Sequence, residues 1–273
     1  MTTSRTRDWD DAYANMAHIE GSEALPAEWT ASAAAYRASG VQSHQDIAYG
    51  DHPREVFDLI LPDPEPRGLV VFVHGGYWMK LDKSFWTHYA EGARARGWAV
   101  AMPSYTLAPQ SRLRGITRQI GRAIAAAATQ VSGPIRLAGH SAGGHLVTRM
   151  LCADSPLPPE VLERIAHTVS ISGVHDLRPL LFTAMNDTLR LDAAEATAES
   201  AALLMPLGQP SLCAWVGGGE RPEFIRQAQL MAEMWSVLGV PAFCHIDGSE
   251  HHFSVLDGLR VPQSPLIEEL LGG

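Results

Sequence analysis

The chain has 273 residues, of which 46% are hydrophobic and 19% charged, and its formal net charge is −9. This length and apolar content suffice for one sizeable core, and the acidic balance argues against a nucleic-acid partner. No apolar run reaches membrane-spanning length and the N-terminus lacks the apolar core of a signal peptide, which predicts a soluble cytoplasmic protein with no membrane partner. The three scattered cysteines are typical of small buried residues in a reducing compartment: Cys152, Cys213 and Cys244.

The first forty residues are acidic, rich in alanine and dotted with aromatic side chains. We interpret 1–40 as a helical arm packed on the body of the protein. Structural cover is the simpler role for this N-terminal arm, and shaping the entrance of a site is the alternative.

Beyond the arm, hydrophobic periodicity predicts an antiparallel hairpin followed by alternating helices and strands. The predicted strands are 46–49, 55–61, 68–73, 98–102, 135–138, 168–171, 212–216 and 241–246. The predicted helices are 85–96, 116–131, 142–152, 221–238 and 265–271. The alternation is typical of an α/β fold with a mostly parallel central sheet and helices on both faces. Residues 176–206 break the rhythm and are predicted to form a small cap inside a single domain spanning 1–273.

The strand predicted at 68–73 ends directly in His-Gly-Gly-Tyr-Trp at 74–78. Two glycines let backbone N–H groups come close to a developing negative charge, so Gly75, Gly76 and Tyr77 form a candidate oxyanion hole. The alternative is an ordinary glycine turn beside a packed tryptophan. Tyr77 and Trp78 are also candidates for the lining of an aromatic leaving-group pocket.

The strand predicted at 135–138 leads into Gly-His-Ser-Ala-Gly at 139–143. Glycines two residues before and after Ser141 remove Cβ atoms that would clash in a sharp strand-to-helix turn. This pattern predicts a nucleophile elbow, in which a strained turn exposes the serine hydroxyl. The N–H of Ala142 would then complete the oxyanion hole.

A general base is expected on the loop after the last strand, where His251 and His252 are adjacent. Neutral imidazole, with a reference pKa of about 6.5, can take the serine proton. Spacing alone does not choose between the two, and no second ligand cluster supports a metal site. The acid should follow the penultimate strand, which favours Glu220 after 212–216 over Asp247, since Asp247 lies on the same strand–loop unit as the histidines.

Five segments together resemble the kynurenine formamidases (arylformamidases) of the α/β-hydrolase type. They are 74–78, 139–146, 173–177, Glu220–Phe224 with Arg226 and Gln227, and His252–Phe253. The resemblance assigns the base to His252 rather than to His251. It departs from the animal members at Glu220, where they carry aspartate.

The resemblance implies a serine hydrolase that uses Ser141, Glu220 and His252, with no metal or organic cofactor. Its implied small-molecule substrate is N-formyl-L-kynurenine, cleaved to formate and L-kynurenine. A carboxylesterase or thioesterase on another small acyl substrate is the alternative, and a non-catalytic binding protein on the same fold is the third hypothesis. Asp176 is predicted either to cap the next helix or to contact an amine or carboxylate of the substrate. The oligomeric state is open, with a homodimer as one expectation.

Overall fold

The computed structural model describes residues 7–208 and 210–272, and its strands form one sheet. The strands are β1 Ser43–Ala48, β2 Val56–Ile60, β3 Leu69–Val73, β4 Ala99–Pro103, β5 Ile135–His140, β6 Ile165–Ile171, β7 Leu212–Gly217 and β8 Ala242–Asp247. Their order is β1-β2-β4-β3-β5-β6-β7-β8. β1 and β2 pair antiparallel, as do β2 and β4, while the other neighbours are parallel. The predicted α/β class with a mostly parallel sheet is confirmed.

Helices cover both faces of this sheet. They are α1 Trp9–Tyr13, α2 Leu25–Ala38, α3 Glu91–Ala95, α4 Leu113–Gln130, α5 Ala142–Arg149, α6 Pro159–Leu162, α7 Asn186–Leu189, α8 Ala193–Ala198, α9 Pro222–Ser236 and α10 Pro265–Leu271. None of the helices in the described ranges is long and apolar enough to cross a membrane.

The alternation of side chains along β3 explains why the sheet has two cores. Leu69, Val71 and Val73 point to the face packed by α4, α5 and α9. Val70 and Phe72 point to the opposite face, which is packed by α2, α3 and α10. Because successive side chains of a strand point to opposite faces, an uninterrupted apolar run is what a strand buried on both sides requires.

The helix predicted over 85–96 is wrong for most of its length. Residues Lys83–Phe85 and Thr87–Ala90 form short 3₁₀ turns, and the α-helix begins only at Glu91. The aromatic and β-branched residues in this stretch have poor helix propensity. Trp86 and Tyr89 are buried in the core instead, at 1% and 5% exposed, so tertiary packing sets the backbone here.

Two segments outside the strand–helix alternation lie beside the carboxyl end of the sheet. Within the arm, α1 contacts α9, and α2 contacts the 3₁₀ turns of residues 83–90. Residues 176–206 form short helices that pack against α5 and α9.

Candidate active site

Ser141 lies at a sharp turn between β5 and α5. Its backbone φ is +54°, a conformation that non-glycine residues rarely adopt. A Cβ built on Gly143 would lie 1.9 Å from the carbonyl oxygen of Val73, and one built on Gly139 would lie 2.2 Å from that of Gly143. Only glycine fits at these two positions, which explains the spacing that the sequence shows around the serine.

The segment after β3 also has a left-handed backbone, with φ of +110° at Gly76, +52° at Tyr77 and +58° at Trp78. In the described chain, no hydrogen-bond acceptor is found for the backbone N–H groups of Gly75, Gly76 and Tyr77, nor for that of Ala142 at the start of α5. Gly75 lies directly against the elbow, because a Cβ on it would be 3.1 Å from that of Ser141. The segment and the elbow therefore bring unpaired N–H groups to the same region.

His252 and Glu220 form a buried pair behind the serine loop. The imidazole Nδ1 lies 2.6 Å from Glu220 Oε2, and the two side chains are 3% and 0% exposed. The other carboxylate oxygen accepts hydrogen bonds from the Ser172 hydroxyl at 2.5 Å and the Gly217 N–H at 2.8 Å. A carboxylate held in this way fixes the orientation and tautomer of the imidazole, leaving Nε2 for proton transfer.

The competing residues have other partners. Asp247 accepts a hydrogen bond from the indole of Trp215 at 3.2 Å. His251 accepts the N–H groups of Phe253 and Ser254 through Nδ1, at 3.1 and 3.0 Å. Both therefore stabilise the loop after β8, while Glu220 and His252 contact each other.

His140, the residue before the serine, supports the histidine loop. Its Nε2–H donates to the carbonyl oxygen of His252 at 2.8 Å, and the two rings are 4.6 Å apart. Burial lowers the pKa of His140 well below its ordinary value, and the neighbouring His252 lowers it further. His140 is thus a neutral donor that packs against the histidine loop.

A cavity of about 520 Å³ opens over the serine. Ser141, His252, Gly76 and Tyr77 line it together, with the rings of Trp29, Trp86 and Phe253. The N-terminal arm supplies the lining residues Asp10, Tyr13, Ala14, Asn15, Met16, Ala17, Pro26 and Trp29. The segment 176–206 contributes Met185. The arm therefore shapes the site, which is the alternative role considered for it, and it covers more of the cavity than the segment predicted as a cap.

Trp78 and Asp176, the two predicted substrate contacts, do not line this cavity. Trp78 is 0% exposed and packs edge-on against His145 in the core, because the left-handed backbone sends it away from the side that Tyr77 faces. The carboxylate of Asp176 binds the guanidinium and the N–H of Arg178 at the start of a 3₁₀ turn. Neither side chain is therefore placed to contact a molecule in this cavity, and the Asp176 carboxylate instead accepts the first backbone N–H of the 3₁₀ turn.

Several residues at the site were not predicted from the sequence. Ser172 carried one signal, since it directly follows β6 at the edge of the sheet where the other candidates lie. Tyr13, Asn15 and Trp29 carried none beyond their place in an aromatic-rich arm. Within residues 7–208 and 210–272, no cluster of three or more histidine, cysteine, aspartate or glutamate side chains could hold a metal ion.

The comparison with known protein families gives the class. Residues 70–254 match the model of an alpha/beta hydrolase fold family, and the chain belongs to that family. Its homologues and fold make the protein a hydrolase.

Similar proteins include enzymes of known name. A kynurenine formamidase from Danio rerio is 27% identical over 242 residues, covering 85% of this chain and 82% of its own. A kynurenine formamidase from Drosophila melanogaster is 33% identical over 141 residues, covering 49% of this chain and 46% of its own. A solved structure from Silicibacter sp. TM1040, provisionally assigned as a thioesterase, is 47% identical with a TM-score of 0.93, covering 98% of this chain and all of that one. Esterase B from Lactobacillus rhamnosis shares the fold. It is 20% identical with a TM-score of 0.67, covering 90% of this chain and 91% of that one.

Proposed function

We propose that the protein is a serine hydrolase that cleaves N-formyl-L-kynurenine to formate and L-kynurenine. The observation that carries the serine mechanism is the buried contact of 2.6 Å between His252 Nδ1 and Glu220 Oε2, at a cavity that Ser141 also lines. The named activity of the kynurenine formamidases, which align with most of this chain, supports the substrate.

In the proposed reaction, His252 Nε2 takes the proton of the Ser141 hydroxyl as the oxygen attacks the formyl carbon. The N–H groups of Gly75, Gly76, Tyr77 and Ala142 are the candidate donors to the oxyanion that forms. Glu220 stabilises the imidazolium. The C–N bond then breaks, and His252 returns the proton to the arylamine nitrogen. L-kynurenine departs, and the formyl group remains on Ser141 as an ester. A water molecule, deprotonated by His252, releases formate and regenerates the serine.

The cavity suits such a substrate. Its volume of about 520 Å³ lies in the range of roughly 300–1,000 Å³ that small-molecule sites occupy. The rings of Trp29, Trp86 and Phe253 offer apolar faces to an arylamine leaving group. A formyl group needs almost no acyl pocket, and an arylamine leaves more easily than an alkylamine does.

A thioesterase or carboxylesterase acting on another small acyl substrate is the second candidate. The observation in its favour is the 47% identity to the Silicibacter protein, over nearly the whole of both chains. The same serine, acid and base would serve, and only the leaving group would change.

Hydrolysis of N-formyl-L-kynurenine, followed by the absorbance of kynurenine, tests the proposal against p-nitrophenyl acetate and an acyl-thioester. We expect kcat/KM of about 10⁴ M⁻¹s⁻¹ or more for the formamide, lost by about 10⁴-fold or more in Ser141→Ala. Fast ester or thioester cleavage with negligible formamide turnover would transfer the function to the second candidate. If a fluorophosphonate labels a residue other than Ser141, the serine mechanism is wrong.

We also propose that the protein works in the cytoplasm as a homodimer. The described cysteines are unpaired, as a reducing compartment favours. The edge strand β8 of the described sheet exposes Phe243 on one face of the sheet and Ile246 on the other, each at 45%, and its unpaired edge is free to pair with a second copy. Sedimentation velocity should give twice the chain mass, and Phe243→Lys should return it to the monomer value. A wild-type monomer at micromolar concentration would contradict the dimer.

A further inference from the structure

Tyr77 is held both through its backbone and through its side chain. Its backbone belongs to three consecutive residues with positive φ, which non-glycine residues adopt only where their surroundings enforce it. The next residue, Trp78, is fully buried, and its carbonyl oxygen accepts the Ala108 N–H at 2.8 Å. The Tyr77 N–H lies in one peptide plane with the Gly76 carbonyl oxygen, which accepts the N–H groups of Met79 and Lys80 at 3.0 Å. The phenol of Tyr77 is a further anchor for this plane, from the side-chain direction.

The phenol of Tyr77 is bound by the N-terminal arm. Its hydroxyl donates to the carbonyl oxygen of Tyr13 and accepts a hydrogen bond from Asn15 Nδ2 at 3.1 Å. Burial raises the pKa of Tyr77, so the phenol stays neutral and can donate. Asn15 is 4% exposed, which leaves its amide little room to find another acceptor.

The arm is in turn fixed to the helix that follows the Glu220 loop. The Tyr13 hydroxyl donates to Glu223 Oε1 at 3.1 Å and accepts from Gln227 Nε2 at 3.2 Å. Glu223 and Gln227 are both 0% exposed and lie on α9. A continuous set of buried hydrogen bonds therefore joins α9, the arm and the segment after β3.

We propose that Asn15 and the Tyr13 carbonyl are positioning groups, which act through the phenol of Tyr77 to hold its backbone N–H where the oxyanion develops. The proposal rests on the proposed serine mechanism, but not on the identity of the acyl substrate. A donor that is aimed in advance stabilises the transition state more than the ground state, so its loss lowers kcat rather than raising KM.

The test uses Tyr77→Phe and Asn15→Leu in the full chain. Tyr77→Phe removes both hydrogen bonds of the phenol, Asn15→Leu removes one of the two, and each variant keeps most of the side-chain volume. We expect kcat to fall by about tenfold to hundredfold, with KM within about twofold, on p-nitrophenyl acetate as well as on the formamide. The rate constant for phosphonylation of Ser141 should fall by the same factor, because the phosphonate oxygen occupies the position of the oxyanion.

Tyr49→Phe is the matched control, since its hydroxyl donates to the Ser104 carbonyl oxygen at 2.6 Å, away from the cavity. It should lower the melting temperature as much as Tyr77→Phe and leave kcat unchanged. In the double variant, kcat should fall no further than in the more damaged single variant, because both changes break the same contact.

Wild-type kcat in Tyr77→Phe, or losses that multiply in the double variant, would overturn the proposal. A rise in KM with unchanged kcat would also overturn it, because it would make these residues substrate-binding ones. If the formamide is not hydrolysed at all, the measurement on the ester still decides the question. Failure of the proposed substrate and failure of this inference are thus distinguishable.

Discussion

Two parts of the molecule meet at the cavity, and they are held by different means. The loops at the carboxyl end of the sheet carry strained backbone, with positive φ at Tyr77, Ser141 and Ser172. In the described part of the arm, only glycine has a positive φ, and the arm is tied down by side-chain hydrogen bonds. The turn at Ser141 is therefore fixed by its backbone and the arm by side-chain hydrogen bonds, while Tyr77 is held by both.

After Ser141→Ala, the largest effect should come from the loop that carries the acid. Glu220→Ala should lower kcat by about 10³–10⁴-fold, because the imidazole loses the carboxylate that fixes its tautomer. Asp247→Ala removes only a hydrogen bond to Trp215 and should change kcat by less than about threefold. Steady-state kinetics on both purified variants provide the measurement, and the reverse ranking would move the acid to Asp247.

Acid should destabilise the body of the protein through its buried histidines. Burial lowers the pKa of His74 to about 4 and those of His145 and His175 to about 3. The unfolded chain, with histidine pKa near 6.5, therefore binds more protons as the pH falls. The stability is fully present above about pH 6.5 and is lost toward pH 3–4, by up to about 1.4 kcal/mol per pH unit for each histidine.

Urea unfolding at pH 7.5, 6.0 and 5.0 would measure this slope. His175→Gln should reduce it by about one proton, because burial lowers the pKa of this histidine to about 3. Equal slopes in the wild type and in His175→Gln would contradict the assignment to buried histidines.

A glycine-to-alanine substitution should cost more stability at the serine turn than in the arm. Gly143→Ala puts a Cβ 1.9 Å from a backbone oxygen and should destabilise the fold by about 3 kcal/mol or more. Gly21→Ala, in the arm, meets no atom within 4 Å and costs only the strain of its φ of +71°, about 1 kcal/mol. Thermal unfolding of both variants tests this contrast. Equal losses of stability would mean that the backbone around Ser141 moves to make room for the added Cβ.

The smallest effect is expected at the exposed contact between Asp11 and Arg221, whose side chains are 49% and 23% exposed. Exposed ion pairs contribute about 0.2–1 kcal/mol, so Asp11→Asn should lower the melting temperature by only a few degrees and leave kcat unchanged. A large loss of kcat in this variant would show that the arm depends on its surface charges rather than on its buried hydrogen bonds.

The parts of the site that lie in loops directly after strands could be predicted from the sequence. The glycines around Ser141, the Gly-Gly pair after β3 and the order of Glu220 before His252 are local patterns with local physical causes. The strands of the sheet were predicted within a few residues, because runs such as 68–73 are buried on both faces.

What failed depends on tertiary packing. The orientation of Trp78 follows from two left-handed residues, a property that a Tyr-Trp pair does not reveal. The 3₁₀ turns at residues 83–90 follow from the burial of Trp86 and Tyr89. Asn15 owes its role to a partner 62 positions away, at Tyr77, and no pattern in the arm records that distance.

The bond between Tyr13 and Glu223 has a consequence for synthesis on the ribosome. The two residues are 210 positions apart, so α1 cannot form this contact until α9 has been translated. Until α9 has emerged, Tyr13 lacks the ring of Phe224 and the carboxylate of Glu223, which hold this part of the cavity wall. Ser141 is translated before α9 and His252 after it, so hydrolytic competence should arise only once that helix and the histidine loop have emerged.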